Sequence, residues 1–482
     1  MPANSPKPAP HLYLQIAARI EKQIMDQVLK VGDKLPSVRT LCRELGHNMS
    51  TITQAYYELE SRSLIETRPR SGYYVCLPPG KRLQVPKPSV PPAHENLAGA
   101  NSEDQDDLIT KVHRDGANKA VTLLSLGVPD VSLLPIAKLN KAMLQATRTL
   151  PGSGTGYDQV QGNEKLRKEI AKWSLTWGGV LNENDLVTTS GCMNALSYCL
   201  LALTSPGDTV AIESPAYFGI LQLAKGMGLR VLELPTNAVT GIEIDALKKA
   251  ITQQKIKVCL LVSNFNNPCG SSMPATHKKE VVKLLEHHHI PLIEDDIYGD
   301  LYFGSSRPGT CKRYDESGMV LYCNSVSKTL APGYRVGWVA PGQFTDKITR
   351  LKLNHSISSA TLTSEVVAEF LKNGRYEHHL RKMRQTLQHN SMKYIAAIAS
   401  YFPEGTRVTQ PEGGYFLWIE LDKKINTVEL YNKAIKFGIS IAPGRMFSLQ
   451  EQFGNCLRLS FGLPWSDELE KKIKLLGMLA QQ

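Results

Sequence analysis

The chain has 482 residues, more than one compact core accommodates, so two or three domains are expected. Its 42% apolar and 21% charged residues are ordinary for folded globular protein and exclude disorder over most of the length. Formal net charge is +11, and residues 1–92 hold 13 Lys and Arg against 7 Asp and Glu, so the N-terminal part invites a polyanionic partner. Met1–Pro10 lacks the basic-then-apolar layout of a secretory signal, and no window approaches the roughly 18 apolar residues of a membrane span. Nine cysteines without a Cys-x-x-Cys pair suggest neither a disulfide framework nor a zinc site. A cytoplasmic location is the expectation.

In chain order, Leu12, Ile16, Ile20, Ile24 and Val28 recur every four residues and predict an amphipathic helix, broken at Gly32-Asp33. Ser37 is a plausible N-cap for a short second helix with Val38, Leu41 and Leu45, stopped by Gly46. Ser50 can cap a third, which turns Ile52, Ala55, Tyr56, Leu59 and Leu64 toward a core. Ile65–Val75, with Pro69 and Gly72 inside it, reads as two short strands and a tight turn. Three helices and a basic hairpin make a winged helix-turn-helix.

Six of the sixteen residues from Leu77 to Pro92 are proline, and the stretch on to Asn118 is polar and acidic, which predicts a semi-rigid and then flexible linker over 77–118. Beyond it the apolar runs Leu186–Thr189, Thr209–Ile212, Val258–Val262, Pro291–Glu294 and Val320–Tyr322 alternate with helical stretches. Such alternation predicts an α/β domain with a mostly parallel sheet over 119–482.

The most informative stretch is Asn324-Ser-Val-Ser-Lys-Thr-Leu-Ala-Pro-Gly-Tyr-Arg-Val-Gly-Trp338, with a lysine just after a buried strand. A lone lysine of this kind is ordinary surface, but three companions precede it in order. Gly191-Cys192-Met193 ends a strand and opens a helix, offering backbone N–H groups to a phosphate. Asn267-Pro-Cys-Gly270 makes a turn bearing a side-chain amide. Asp295-Asp-Ile-Tyr298 puts an acid and a phenol at the C-terminal end of a strand, where α/β sheets bind ligands.

In these motifs residues 119–482 resemble the fold-type I enzymes that use pyridoxal 5′-phosphate (PLP), specifically the class I/II aminotransferases, with a smaller α+β C-terminal subdomain. The resemblance implies that Lys328 is the Schiff-base lysine and that Asp295 keeps the pyridine nitrogen protonated. It implies that Tyr298 and Asn267 bond the ring oxygen, that Tyr217 stacks on the ring, and that Ser325, Ser327 and Arg335 cradle the phosphate with Gly191, Cys192 and Met193. Asp296 is read as structural. Arg458, in Leu457-Arg-Leu-Ser460, matches the arginine that clamps a substrate α-carboxylate, and Gly127 matches a glycine turn of the substrate pocket. Tyr157, in Gly156-Tyr-Asp-Gln-Val-Gln-Gly162, matches a tyrosine that reaches the cofactor phosphate of a second subunit, which implies a homodimer. His287-His288-His289 and the cysteines of the cofactor turns are read as structural or as offering only backbone groups.

Gly32–Arg39, Glu58–Ile65 and Arg68–Val75 together resemble the GntR-superfamily winged helix over residues 11–76. That resemblance implies Arg39, Ser50, Thr51 and Thr53 on DNA phosphates and base edges, and Arg68 and Arg70 of the wing near the minor groove. Where many members carry an arginine before the recognition helix this chain has Met49, preceded by Asn48, so one source of guanine readout is missing. A winged helix joined through a long linker to an aminotransferase-like domain is the layout of the MocR subfamily. It implies a PLP-dependent regulator that binds double-stranded DNA and senses an amino acid, an amine or PLP itself. A working aminotransferase with an attached winged helix is the alternative, and a PLP lyase or decarboxylase on the same fold uses the same lysine.

Overall fold

The computed structural model describes residues 12–26, 28–30, 32–61, 64–68, 71–75, 83–91, 96–97, 103–116, 118 and 120–482. The N-terminal unit has helices α1 (Leu12–Met25), α2 (Val38–Leu45) and α3 (Met49–Ser61), then the antiparallel hairpin β1 (Ile65–Arg68) and β2 (Gly72–Val75). Ile16, Ile20 and Ile24 of α1 bury against Ile52, Ala55, Tyr56 and Leu59 of α3, with Ile65 and Val75 of the hairpin completing the core. Leu12 and Val28 do not join it: they are 45% and 67% exposed, and α1 ends at Met25. A four-residue spacing advances about 40° past a full turn each time, so the two ends of the series rotate off the buried face.

Ser37 caps α2 as expected, accepting from the Thr40 N–H at 3.1 Å, and Gly46 closes it in the left-handed conformation. Ser50 does not cap α3. The cap is Asn48, whose Oδ1 accepts from the Thr51 N–H at 2.8 Å, while Ser50 lies inside the first turn.

The large domain is organised around one sheet whose main strands lie in the order Arg230–Asn237, Thr209–Ser214, Ile256–Leu261, Leu292–Asp295, Val320–Ser325, Gly337–Ala340 and Val187–Thr189. The first five are parallel neighbours, and Gly337–Ala340 is antiparallel to both of its partners. The five strands read from the sequence are all present. Arg230–Asn237 and Gly337–Ala340 escaped it, the second because its glycine and tryptophan sit inside the lysine motif. A second, smaller sheet carries Arg407–Val408, Phe416–Glu420, Cys456–Ser460 and Ala442–Pro443, and the 27-residue helix Arg375–Tyr401 packs on the C-terminal helix Asp467–Leu479.

The segment expected as a linker is folded over much of its described length. Gln84 bridges to Arg407, Ser89 is buried and accepts from the Thr236 N–H at 2.8 Å, and β3 (Asn96–Leu97) adds an antiparallel edge to Arg230–Val231. Residues 103–116, expected to be flexible, form helix α4 (Glu103–Gly116). Leu108, Ile109 and Val112 recur at helical spacing and bury, and the Gln105 amide, itself buried, donates to the carbonyls of Arg445, Met446 and Ser448. Acidic composition concealed that apolar stripe. No helix among the described residues is long and apolar enough to cross a membrane.

Candidate functional site: a cofactor pocket and a DNA-binding surface

The C-terminal ends of the parallel strands converge on a cavity of about 220 Å³ lined by Gly127, Cys192, Met193, Tyr217, Asn267, Asp295, Tyr298, Ser327, Lys328, Arg335 and Arg458. Parallel strands place every loop that follows them at one end of the sheet, which is why motifs far apart in the chain meet here. Lys328 follows the strand Val320–Ser325, and its ammonium donates to the Gly127 carbonyl at 2.6 Å. Burial, with the nearby Arg458 guanidinium, lowers its pKa to about 8. Gly127 has to be glycine, because a Cβ there would lie 2.3 Å from the Phe416 ring.

Asp295 ends the strand Leu292–Asp295 and is buried. Its Oδ1 accepts from the Cys192 thiol at 3.2 Å and from the Ile297 N–H at 3.1 Å, yet burial still raises its pKa to about 6. Asp296 points the other way. It pairs with Arg307 at 2.6 Å and accepts from Asn264 and Tyr322, and Arg307 also pairs with Asp300. The adjacent acids therefore divide, one to the pocket and one to a buried ion network beneath it.

At the end of the cavity expected to take a phosphate stand Ser327 and Arg335, with Cys192 and Met193; Gly191 does not itself line the cavity but lies behind Arg335. Gly191 precedes the helix Cys192–Leu203 with φ 89°, so the first-turn N–H groups have no side-chain cap, and Cys192 and Met193 of that turn line the cavity. A Cβ on Gly191 would sit 2.3 Å from Arg335 Nη2. The Arg335 fork donates to the Ser190 carbonyl at 2.9 Å and to the Ser327 hydroxyl at 3.3 Å. Ser325 does not line the cavity; its hydroxyl lies beneath and accepts from the Ser327 N–H at 3.3 Å.

Arg458, on the strand Cys456–Ser460, is 1% exposed and lies over the rings of Phe416 and Phe447, at 4.4 and 5.0 Å from their centroids. It donates to Asn267 Oδ1 at 2.7 Å and to the Ser125 carbonyl, while its Nε has no partner among the described residues. Burial lowers its pKa to about 10, with the Tyr298 and Tyr217 phenols opposing. Burial likewise raises the pKa of both phenols. Tyr157 stands apart from the pocket of its own chain and is 84% exposed.

Four contributors to this site escaped the sequence. The Cys192 side chain, expected to matter only through its backbone, donates to Asp295. Phe416 and Phe447 sandwich the Arg458 cation. His113, from α4, stands at the cavity mouth with its outer edge exposed; the apolar stripe of that helix was the signal that would have found it.

These residues fit PLP on their own chemistry. An uncapped helix start beside a two-pronged arginine suits a phosphate, a buried carboxylate suits a ring cation, and a lysine of lowered pKa suits an aldehyde. The buried unpaired Nε of Arg458 suits a carboxylate.

On the N-terminal unit, Arg39 of α2 and Ser50 of α3 are exposed, and Thr51 and Thr53 are half-buried on the same helix. The hydroxyls of Ser50 and Thr51 donate to Asn48 Oδ1 at 2.8 and 2.6 Å, so part of their capacity is already used. Arg70 and the Arg68 side chain lie outside the described residues.

The aminotransferase class I and II family matches residues 120–471, and the gntR family of bacterial regulatory proteins matches residues 12–75. The chain is 37% identical to the uncharacterized HTH-type transcriptional regulator YjiR of Escherichia coli strain K12 over 96% of this chain and 98% of that one. It is 34% identical to YdcR, another uncharacterized HTH-type regulator of the same strain, over 98% and 99%. Among solved structures it is similar to the kynurenine aminotransferase of Pyrococcus horikoshii, crystallised with PMP, at 25% identity and a TM-score of 0.73, over 80% of this chain and 95% of that one. With a gntR-type helix-turn-helix ahead of a class I and II aminotransferase domain of the fold-type I architecture, the chain belongs to the HTH-type transcriptional regulators of MocR layout.

Proposed function

We propose that this protein binds double-stranded DNA through residues 11–76 and holds PLP, with an amino acid or amine effector, in the pocket of residues 119–482, the segment 77–118 joining the two. The observation that carries this reading is the convergence of Lys328, Asp295, Arg335 and Arg458 on one cavity, in a chain that also carries a complete helix-turn-helix. The Arg335 fork, the first-turn N–H groups after Gly191 and Ser327 would hold the phosphate, and Tyr217 would cover the ring. Asp295 would face the ring nitrogen, with the Cys192 thiol steadying its near oxygen. Asn267 and Tyr298 would bond the ring oxygen, Asn267 being held in place by Arg458. Bound PLP supplies an electron sink for an amine attached to it. Lys328, at a pKa of about 8, is in part a neutral amine near pH 7 and would bond the cofactor aldehyde and move a proton. Arg458 would receive the ligand carboxylate, which together with Lys328 favours an α-amino acid.

The exposed Tyr157 supports a homodimer in which it reaches the second pocket. A cytoplasmic location accords with DNA as partner. Genome-wide mapping of bound DNA with and without PLP, in wild type and Lys328→Ala, tests the regulator reading; a PLP-independent map identical in both would refute ligand control. The second reading, a working aminotransferase, is favoured by the retention of a lysine beside Asp295 and a carboxylate-facing arginine. Multiple turnovers with an oxo-acid acceptor would establish it.

A further inference from the structure

His113 lies outside the part of the chain matched to aminotransferases, yet it lines the same cavity as Lys328. Its ring meets Phe218 edge to face, with 5.6 Å between centroids and 78° between planes. Its helix is pinned on both sides of it. Gln105 is bonded to three carbonyls, Asp106 is paired with Lys225, Val112 is buried, and Tyr431 donates to Asp115 at 2.6 Å. Those contacts fix which face of α4 turns to the cavity.

In the reading above, Lys328 meets the amine, Asp295 the ring nitrogen, Arg335 the phosphate and Arg458 the α-carboxylate. His113 has no counterpart yet. Burial, and then the Arg458 cation, hold its imidazole below the ordinary value, so near pH 7 it presents one N–H donor. Phe218 beside it, with Leu126 and Val128 on the same cavity, gives apolar wall for a short aliphatic stem.

We propose that His113 is a specificity-determining residue, donating a hydrogen bond to a side-chain oxygen of the bound ligand, which is thereby an α-amino acid with a carboxylate or carboxamide side chain. The inference rests on the PLP and amino-acid reading above. An oxygen acceptor at the cavity mouth satisfies the imidazole N–H and faces the positive field of Arg458, whereas an aliphatic end leaves the N–H to water. Since His113 belongs to the segment between the DNA-binding unit and the pocket, the same contact ties that segment to the identity of the ligand.

The test uses full-length, PLP-loaded protein titrated with L-glutamate, L-glutamine and L-norvaline, read by the cofactor's visible absorption. Amide hydrogen exchange over residues 103–116 is followed in parallel. Wild type is expected to bind glutamate or glutamine about tenfold more tightly than norvaline, the range of one hydrogen bond with some charge assistance. His113→Leu brings that ratio near one and leaves norvaline within about twofold, and His113→Gln, which keeps a donor, retains part of the preference. Exchange in α4 slows with the preferred ligand and not with norvaline. A preference that survives in His113→Leu, or none in wild type, overturns the inference and leaves the PLP and amino-acid reading standing. If His113→Leu does not fold, wild-type selectivity and the exchange pattern decide. A wild type whose spectrum responds to no amino acid overturns both.

Discussion

The surface proposed to meet DNA and the pocket proposed to hold the cofactor sit in opposite environments. Arg39 and Ser50 are exposed to water on the helices of the N-terminal unit. In the pocket, burial brings Lys328 down to about 8, brings Arg458 down to about 10 and lifts Asp295 to about 6. A surface site therefore needs little more than the right side chains on a rigid scaffold. A buried one needs further groups to offset desolvation: the Cys192 thiol bonds Asp295, and the Phe416 and Phe447 rings lie against the Arg458 cation.

Removing a supporting group beneath the pocket should produce the largest effect. Arg307→Met leaves Asp296 and Asp300 buried without their cation and is expected to cost about 3–5 kcal/mol of stability. Denaturant unfolding would measure it; a loss under about 1 kcal/mol would mean that the network is wetter than its burial implies. Next, Arg458→Lys keeps the charge but loses the planar fork. Affinity for an α-amino acid should fall by about 1.5–3 kcal/mol. PLP affinity should fall less if Arg335 is the phosphate ligand as proposed, because only the Arg458 grip on Asn267 is then lost. Equal losses would show that Arg458 acts chiefly through Asn267.

Asp295 gives the comparison a pH axis. Its folded pKa is raised, so in cofactor-free protein the folded state holds the proton more tightly. Its contribution to stability is full below the unfolded value near 4 and is lost as pH rises toward about 6. PLP binding should run the other way, because only the ionised carboxylate balances a ring cation. Affinity should drop by up to about tenfold per pH unit below 6, and the part that vanishes in Asp295→Asn belongs to this residue. A pH profile identical in the variant would remove Asp295 from that role.

At the surface the effects should be small and of another kind. Arg39→Ala is expected to change stability by less than about 0.5 kcal/mol while lowering DNA affinity by about 1 kcal/mol and the salt slope by about one ion. A filter-binding salt series reads both. Smallest of all, Cys192→Ala removes one weak donor from Asp295 and should move the midpoint of the pH profile upward with little change in its plateau. An unmoved midpoint would make the thiol a space-filler.

Much of this was legible in the amino-acid sequence because it is written locally. Ser37 before Val38 and Gly46 after Leu45 delimit α2 through cap chemistry that acts over three or four residues. The run from Asn324 to Trp338 places Lys328 and Arg335 through one strand and one turn, and the strand ending at Asp295 sets that acid at the ligand-binding end of the sheet. Even the small misreadings were local ones: Asn48 took the cap expected of Ser50, and the ends of the Leu12–Val28 series turned off the buried face.

Tertiary structure decided the rest, because burial and pairing are long-range properties. Arg458 meets Asn267 across 191 positions of sequence, and nothing near either residue announces it. That Asp296 finds Arg307 while Asp295 keeps an open side depends on which way two consecutive side chains leave a strand, and on what packs there. Residues 103–116 form a docked helix rather than a tether because Leu108, Ile109 and Val112 had a large-domain surface to bury against, which an acidic composition does not reveal. Spacing and turn chemistry gave the order of the parts. The desolvation that tunes Lys328, Asp295 and Arg458, and the presence of His113 beside them, came only from bringing distant segments together in a low-dielectric space.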